Sequence, residues 1–144
     1  MTDERLDSAE RDAVTSQPVV EVLSEVDSPP IPVPANAMTV YVTLPPGSAG
    51  SAPHRHPGPA FGYVIEGEMI FEVEVEGEPE RVVKAGESFW EPGGDVIHYH
   101  DGNNLTDAET KFVVVLFGVP GQDVVAPVPS EELDERRTRR ASRP

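Results

Sequence analysis

Between residues 38 and 117 the chain alternates short apolar segments with glycine- and proline-containing turns, and this alternation is its most restrictive feature. Turn signals include Pro46-Gly47, Ala85-Gly86 and Pro92-Gly93-Gly94. No stretch before residue 130 sustains a helical period. Short strands joined in this way predict an all-β fold, a sandwich or barrel of antiparallel strands. The segments with strand character are 38–44, 60–66, 69–76, 80–84, 87–91, 95–100 and 111–117.

Two of these segments indicate where the core and the surface lie. In 69–76, Met69, Phe71 and Val73 share one face and glutamates share the other, which predicts core on one side and water on the other. The segment KFVVVLF at 111–117 is apolar throughout. It predicts a strand that is covered on both faces, and a contact between subunits would supply one cover.

The two ends of the chain differ in composition from the strand-rich middle. Residues 1–17 are charged and poor in aromatic residues, and we predict a disordered acidic tail there. Residues 18–37 hold several prolines and predict an extended arm that packs along a second copy in a homodimer. Residues 38–127 form the predicted barrel. Residues 128–144 are a charged, solvated tail with at most a turn or two of helix, capped by Ser130.

Charge and composition exclude several classes of function. The formal net charge is −15, from 26 acidic against 11 basic residues, which argues against nucleic-acid or anionic-membrane binding. The chain has no cysteine, so neither a disulfide nor a thiolate ligand is available. No segment approaches the roughly 18 apolar residues that a membrane span requires. These features predict a cytoplasmic protein.

The histidines carry the clearest chemical signal. All four of them fall into two His-x-His pairs, His54 with His56 and His98 with His100. Residues two apart on a strand point to the same side, so each pair can direct two imidazoles at one point. Neutral imidazole is a good ligand for zinc, copper, iron and nickel. Surface loop histidines or core histidines satisfied by hydrogen bonds are the alternative, but two such pairs together favour a metal site.

Two motifs resemble those of the cupin superfamily, small β-barrels that hold a divalent metal inside the barrel. The stretch PPGSAGSAPHRHPGPAFGYVIEG is similar to the family motif G-x5-H-x-H-x3-4-E-x6-G, and AGESFWEPGGDVIHYHDGNN to G-x5-P-x-G-x2-H-x3-N. The resemblance covers roughly residues 38–118. It implies a double-stranded antiparallel β-barrel with flexible termini.

The resemblance also assigns residues. It implies that His54, His56 and His98 are metal ligands, although one extra residue precedes His98. Ala60 stands where the family carries its glutamate ligand, so this carboxylate is expected to be missing. Three neutral imidazoles would leave the ion its full charge. His100 is expected to be a catalytic acid/base group or a fourth ligand.

The resemblance implies a metal-dependent enzyme that acts on a small oxygenated organic substrate. An open three-histidine site with iron would support dioxygenase-like chemistry. The same site with zinc, nickel or manganese would support isomerisation or cyclisation. The remaining alternative is a non-catalytic cupin, because a shared fold does not fix function. It would bind a small molecule or a metal ion, and copper is among the possible metals.

Overall fold

The structure, a computed structural model, describes residues 17–75 and 78–140, so all but the last residue of the predicted acidic tail lies outside the described residues. The described chain forms two antiparallel sheets, with strand orders β1-β8-β3-β6 and β5-β4-β7-β2-β9. This arrangement confirms the all-β prediction. The strands are β1 (Asn36–Leu44), β2 (His54–Arg55), β3 (Ala60–Glu66), β4 (Glu68–Val73), β5 (Arg81–Lys84), β6 (Ser88–Glu91), β7 (His98–His100), β8 (Thr110–Gly118) and β9 (Ala126–Pro127).

The core lies between the two sheets and is built by side chains that alternate along the strands. In β8, Phe112, Val114 and Leu116 are buried, whereas Val113 and Val115 are only partly buried on the other face. Opposite them, β4 contributes side chains that include Met69 and Phe71. The predicted two-sided strand therefore has a core face and an outer face, and residues of the N-terminal arm approach the outer one.

The glutamate face of β4 is not the water-facing surface that the sequence predicts. Glu72 is 2% exposed, and Arg140 Nη2 donates a hydrogen bond to its Oε1 at 2.8 Å. Glu74 is ion-paired with Arg136. Arginines from the C-terminal end of the chain thus cover part of this face, because a buried carboxylate requires a cation or hydrogen-bond donors.

The C-terminal segment is therefore packed against the sheet as far as residue 140. Over these residues the prediction of a solvated tail is not met. A short helix, α1 (Ser130–Glu135), is followed by a 3-10 turn at Arg137–Arg139. Pro129, rather than Ser130, occupies the N-cap position, and no side chain caps the helix. Arg136 is buried at the end of α1. No helix in the described part of the chain is long and apolar enough to span a membrane.

The N-terminal arm lies extended and crosses the outer face of the sheet that contains β8. Ser88 on β6 donates a hydrogen bond to the carbonyl of Leu23 at 3.2 Å. Residues 21–24 and the outer side chains Val113 and Val115 border one groove. Several apolar side chains of the arm remain exposed, Val22 by 70%. An arm of this kind suits contact with a second copy, and the homodimer stays a prediction.

We expect Val22→Asp to convert a dimer into a monomer, because a carboxylate beside the groove would have to be desolvated at the interface. Sedimentation velocity of the wild type and the variant measures this. Val33→Asp is the matched control, since Val33 is 96% exposed on the same arm and does not border the groove. A monomeric wild type, or a dimer that survives Val22→Asp, would contradict the prediction.

Candidate metal centre

Three of the four histidines meet between the sheets. His54 on β2 is the direct cross-strand partner of His98 on β7, and His56 follows β2 by one residue. All three are buried, and one nitrogen of each lies within 4.8 Å of those of the other two. The Nε2 atoms of His54 and His56 are 3.2 Å apart. Nitrogens this close together can be ligands of a single ion.

Backbone carbonyls hold each of the three rings by its other nitrogen. Nδ1 of His54 donates to the carbonyl of Ala52 at 2.7 Å, and Nδ1 of His56 to that of Val124 at 2.6 Å. Nε2 of His98 donates at 3.0 Å to the carbonyl two positions further along β7. A hydrogen bond at one ring nitrogen fixes the tautomer and leaves a lone pair on the other. The cluster is thus preset to offer three lone pairs.

Glu91 adds a carboxylate that the sequence analysis missed. Its Oε1 lies 3.1 Å from Nε2 of His56, and its Oε2 lies 2.8 Å from Nδ1 of His98. Glu91 ends β6 and is the direct cross-strand partner of Ala60. Partners in an antiparallel pair project to the same face, so Glu91 serves the region that Ala60 was expected to leave without a carboxylate. The three histidines remain the group of side chains that could hold an ion, and Glu91 is a carboxylate in contact with two of them.

A buried nitrogen without a partner tests whether a metal ion fits. Nδ1 of His98 is close to Glu91, but the orientation is not that of a hydrogen bond, so this buried atom has no hydrogen-bond partner among the described residues. Buried polar atoms are nearly always satisfied, and an orphaned one needs an explanation. An ion would accept its lone pair. Three imidazole nitrogens with a carboxylate beside them suit zinc, iron, nickel or manganese.

The local charges also prepare the cluster for a cation. Burial lowers the pKa of His54 and keeps this ring neutral. Burial opposes ionisation of Glu91, but the neighbouring His98 outweighs it and lowers the pKa of the carboxyl. Burial likewise opposes protonation of His98, and the Glu91 carboxylate outweighs it and raises the pKa of His98. The ionised carboxyl of Glu91 therefore places a negative charge beside the rings, which favours a cation in the cluster.

The structure does not bring His100 into the cluster. Its Nδ1 lies 3.3 Å from Oε2 of Glu80. The pairing of β7 with β4 shifts between His98 and His100, because they oppose Val73 and Glu72, which are adjacent. Such a bulge breaks the rule that residues two apart share a face. The catalytic role of His100 stays a prediction, with no contact to the histidine cluster in its support.

A cavity of about 510 Å³ lies beside the cluster and reaches along the core face of β1 and β8. Glu91 and the three clustered histidines contribute to its wall. Ser51, between β1 and β2, and Asp101, directly after β7, border it as well, and Asp101 Oδ1 accepts a hydrogen bond from the Ser51 amide at 2.6 Å. The sequence analysis did not single out Asp101. The cluster therefore has a space beside it in which a small molecule could bind.

Fold and site together define a small all-β protein with a histidine cluster between two antiparallel sheets. Residues 40–116 match the family described as the cupin domain, and this match covers more than half of the chain. The chain belongs to the cupin family, as its two motifs indicate. No curated protein matches it.

Solved structures resemble this chain in fold. The cupin-2 domain protein Rru_A2000 from Rhodospirillum rubrum aligns with a TM-score of 0.55 and 17% identity over 71% of this chain and 63% of its own. The DMSP lyase DddQ from Ruegeria pomeroyi gives 0.52 and 21% over 64% of this chain. The polyketide cyclase RemF from Streptomyces resistomycificus gives 0.50 and 22%, over 71% of this chain and 67% of its own. The chain spans only 43% of the lyase's length, so these similarities establish the fold alone.

Proposed function

We propose that this protein is a metal-dependent enzyme that acts on a small oxygenated organic substrate, with dioxygenase-like chemistry. The observation that carries the proposal is the convergence of three oriented imidazole nitrogens and one carboxylate on the wall of a cavity. A bound iron ion supplies one-electron and O2 chemistry there, whereas zinc or nickel polarises a carbonyl oxygen.

Each residue of the cluster has a distinct part in this proposal. His54, His56 and His98 hold the ion through the nitrogens that do not donate to backbone carbonyls. Glu91 adds one negative charge, which partly offsets the charge of a divalent ion. This charge weakens a purely Lewis-acid site and favours a metal that can be oxidised. Glu91 therefore supports the dioxygenase-like reading over the isomerase or cyclase one.

The surroundings support catalysis rather than a purely structural ion. The cluster is buried, yet one side of it borders the cavity, so a substrate oxygen can approach without displacing a histidine. Structural metal sites close all positions with protein ligands, and catalytic ones keep a position open.

The experiment that tests the proposal is metal analysis of protein purified without added metal, followed by cobalt(II) titration. We expect about one equivalent in the wild type and much less in His54→Ala, because the remaining groups hold a labile ion poorly. His100→Ala is the control, since the ring of His100 lies outside the cluster. Its metal content should equal that of the wild type.

The open position is tested separately. The wild type, loaded with iron(II) without oxygen, should bind nitric oxide and give the electron paramagnetic resonance signal of a ferrous nitrosyl. A site that binds iron but no nitric oxide would contradict catalysis by O2. A His54→Ala variant that keeps the full metal content would contradict the metal centre itself.

A further inference from the structure

We infer that the cavity beside the histidine cluster selects an uncharged, mainly apolar molecule that carries an oxygen group at one end. This inference names the substrate class of the enzyme proposed above, and it rests on that proposed function. The selectivity of the cavity can be measured without any turnover.

The walls of the cavity are mostly hydrocarbon. β1 contributes Val40, Val42 and Leu44, and β8 contributes Phe112, Val114 and Leu116. Binding against these side chains would be favoured by about 25 cal/mol for each Å² of apolar ligand surface that is removed from water. A volume of about 510 Å³ lies within the range of about 300–1,000 Å³ that accommodates a drug-sized molecule. The cavity is therefore larger than a two-carbon acid requires.

Polar groups of the cavity gather toward the histidine cluster. Asp101 directly follows β7, the strand that carries His98, and both residues border the cavity. Ser51, in the segment between β1 and β2 that leads to His54, donates its backbone amide to the Asp101 carboxylate, so these polar groups lie at the same end of the cavity as the cluster. A bound molecule would accordingly place its oxygen group at this end and its hydrocarbon along β1 and β8.

The charge of the cavity disfavours an anion. Two carboxylates, Glu91 and Asp101, border it, but no lysine or arginine does among the residues that the structure describes. Nearby arginines such as Arg55 and Arg136 are paired with carboxylates elsewhere. An anion in the cavity would stay without a cationic side chain, and burying an unpaired charge is costly.

Metal binding does not reverse this argument. The two positive charges of a divalent ion are balanced by the negative charges of Glu91 and Asp101 around it. The attraction of the ion for a carboxylate or a phosphate would then be weakened. The long-range field points the same way, because the whole chain carries a formal charge of −15.

A matched pair of probes tests the inference: 2-acetylnaphthalene, which is neutral, and 2-naphthoate, an anion of nearly the same shape. Isothermal titration of the chelator-treated protein should give at least about tenfold tighter binding of the ketone, because only the anion loses hydration without a partner. Zinc loading should narrow this preference without reversing it.

Two variants assign the preference to the residues named. Asp101→Asn keeps the oxygen that accepts from Ser51 and removes the charge, so naphthoate should bind several-fold tighter and the ketone unchanged. Val114→Trp fills the cavity and should abolish binding of the ketone. Circular dichroism shows whether the tryptophan impairs folding. If it does, Val42→Phe replaces it, because Val42 is half-buried in the same cavity wall.

The outcomes separate this inference from the proposed function. Tighter binding of naphthoate or oxalate than of the ketone, or no binding of the ketone, would overturn the inference even if metal analysis supports the metal centre. Preferential binding of the ketone, together with a wild type that takes up no metal in the cobalt(II) titration, would support the cavity's selectivity and overturn the proposed function instead.

Discussion

Glu91→Ala is expected to lower the affinity for divalent metal at least about 100-fold, because loss of a group that merely orients a ligand already costs about 10–100-fold. The buried carboxylate lies within 3.1 Å of two histidine nitrogens and supplies the only negative charge that contacts the cluster within the described residues. Cobalt(II) titration followed by visible absorption measures the affinity and reports on the ligand set.

The carboxylate can be moved to the neighbouring strand as a control. Ala60 is 1% exposed and directly opposite Glu91, so Ala60→Glu combined with Glu91→Ala places one carboxylate on the same face from β3. We expect this double variant to recover most of the lost affinity. Glu91→Gln keeps the shape but not the charge and should resemble Glu91→Ala.

Ala60→Glu alone has a different expected result. On the sequence alone, this substitution is expected to supply a missing ligand and raise the affinity for metal. In the structure it would add a second buried carboxylate beside Glu91, and like charges at this distance destabilise each other. The melting temperature of the metal-free protein should fall.

The prediction for Glu91 has its own contradicting result. If Glu91→Ala binds metal as tightly as the wild type, the histidines alone hold the ion.

The sequence could predict the parts of the site that depend on local spacing. His54, His56 and His98 occur at family-like intervals and meet in the structure, since strand geometry and the barrel order bring their segments together. Glu91 could not be found in this way, because its role depends on the register between β3 and β6. Its inward alternation with Phe89, just before the turn at Pro92, was the available signal.

Other differences also have long-range causes. The placement of His100 depends on a bulge between β4 and β7, and no residue in the HYH segment signals it. The C-terminal segment looks solvated by composition, because composition cannot show which carboxylates its arginines meet. The arginines that pair with Glu72 and Glu74 are far from them in the sequence. Local patterns thus predict the strands and their faces better than the contacts between distant segments.

Arg136→Ala is expected to destabilise the protein by about 3–5 kcal/mol, because removing one partner of a buried ion pair strands the other charge. Side-chain exposure is 10% for Arg136 and 8% for Glu74. Nη1 of Arg136 also lies 3.1 Å from Asp95 Oδ1. Glu74 and Asp95 raise the pKa of Arg136, so the guanidinium stays charged wherever the protein is folded. Thermal unfolding should show a melting temperature lower by about 10 °C.

Two controls assign the loss to the stranded charge. Arg137→Ala removes the next arginine, which is exposed and makes no ion pair with the described residues, and should change stability little. Arg136→Met with Glu74→Gln removes both charges and keeps an acceptor for the Tyr99 hydroxyl, which donates to Glu74 at 3.1 Å. Replacing both partners is often nearly neutral, so most of the stability should return. Equal melting temperatures for Arg136→Ala and Arg137→Ala would show that the C-terminal segment is a solvated tail after all.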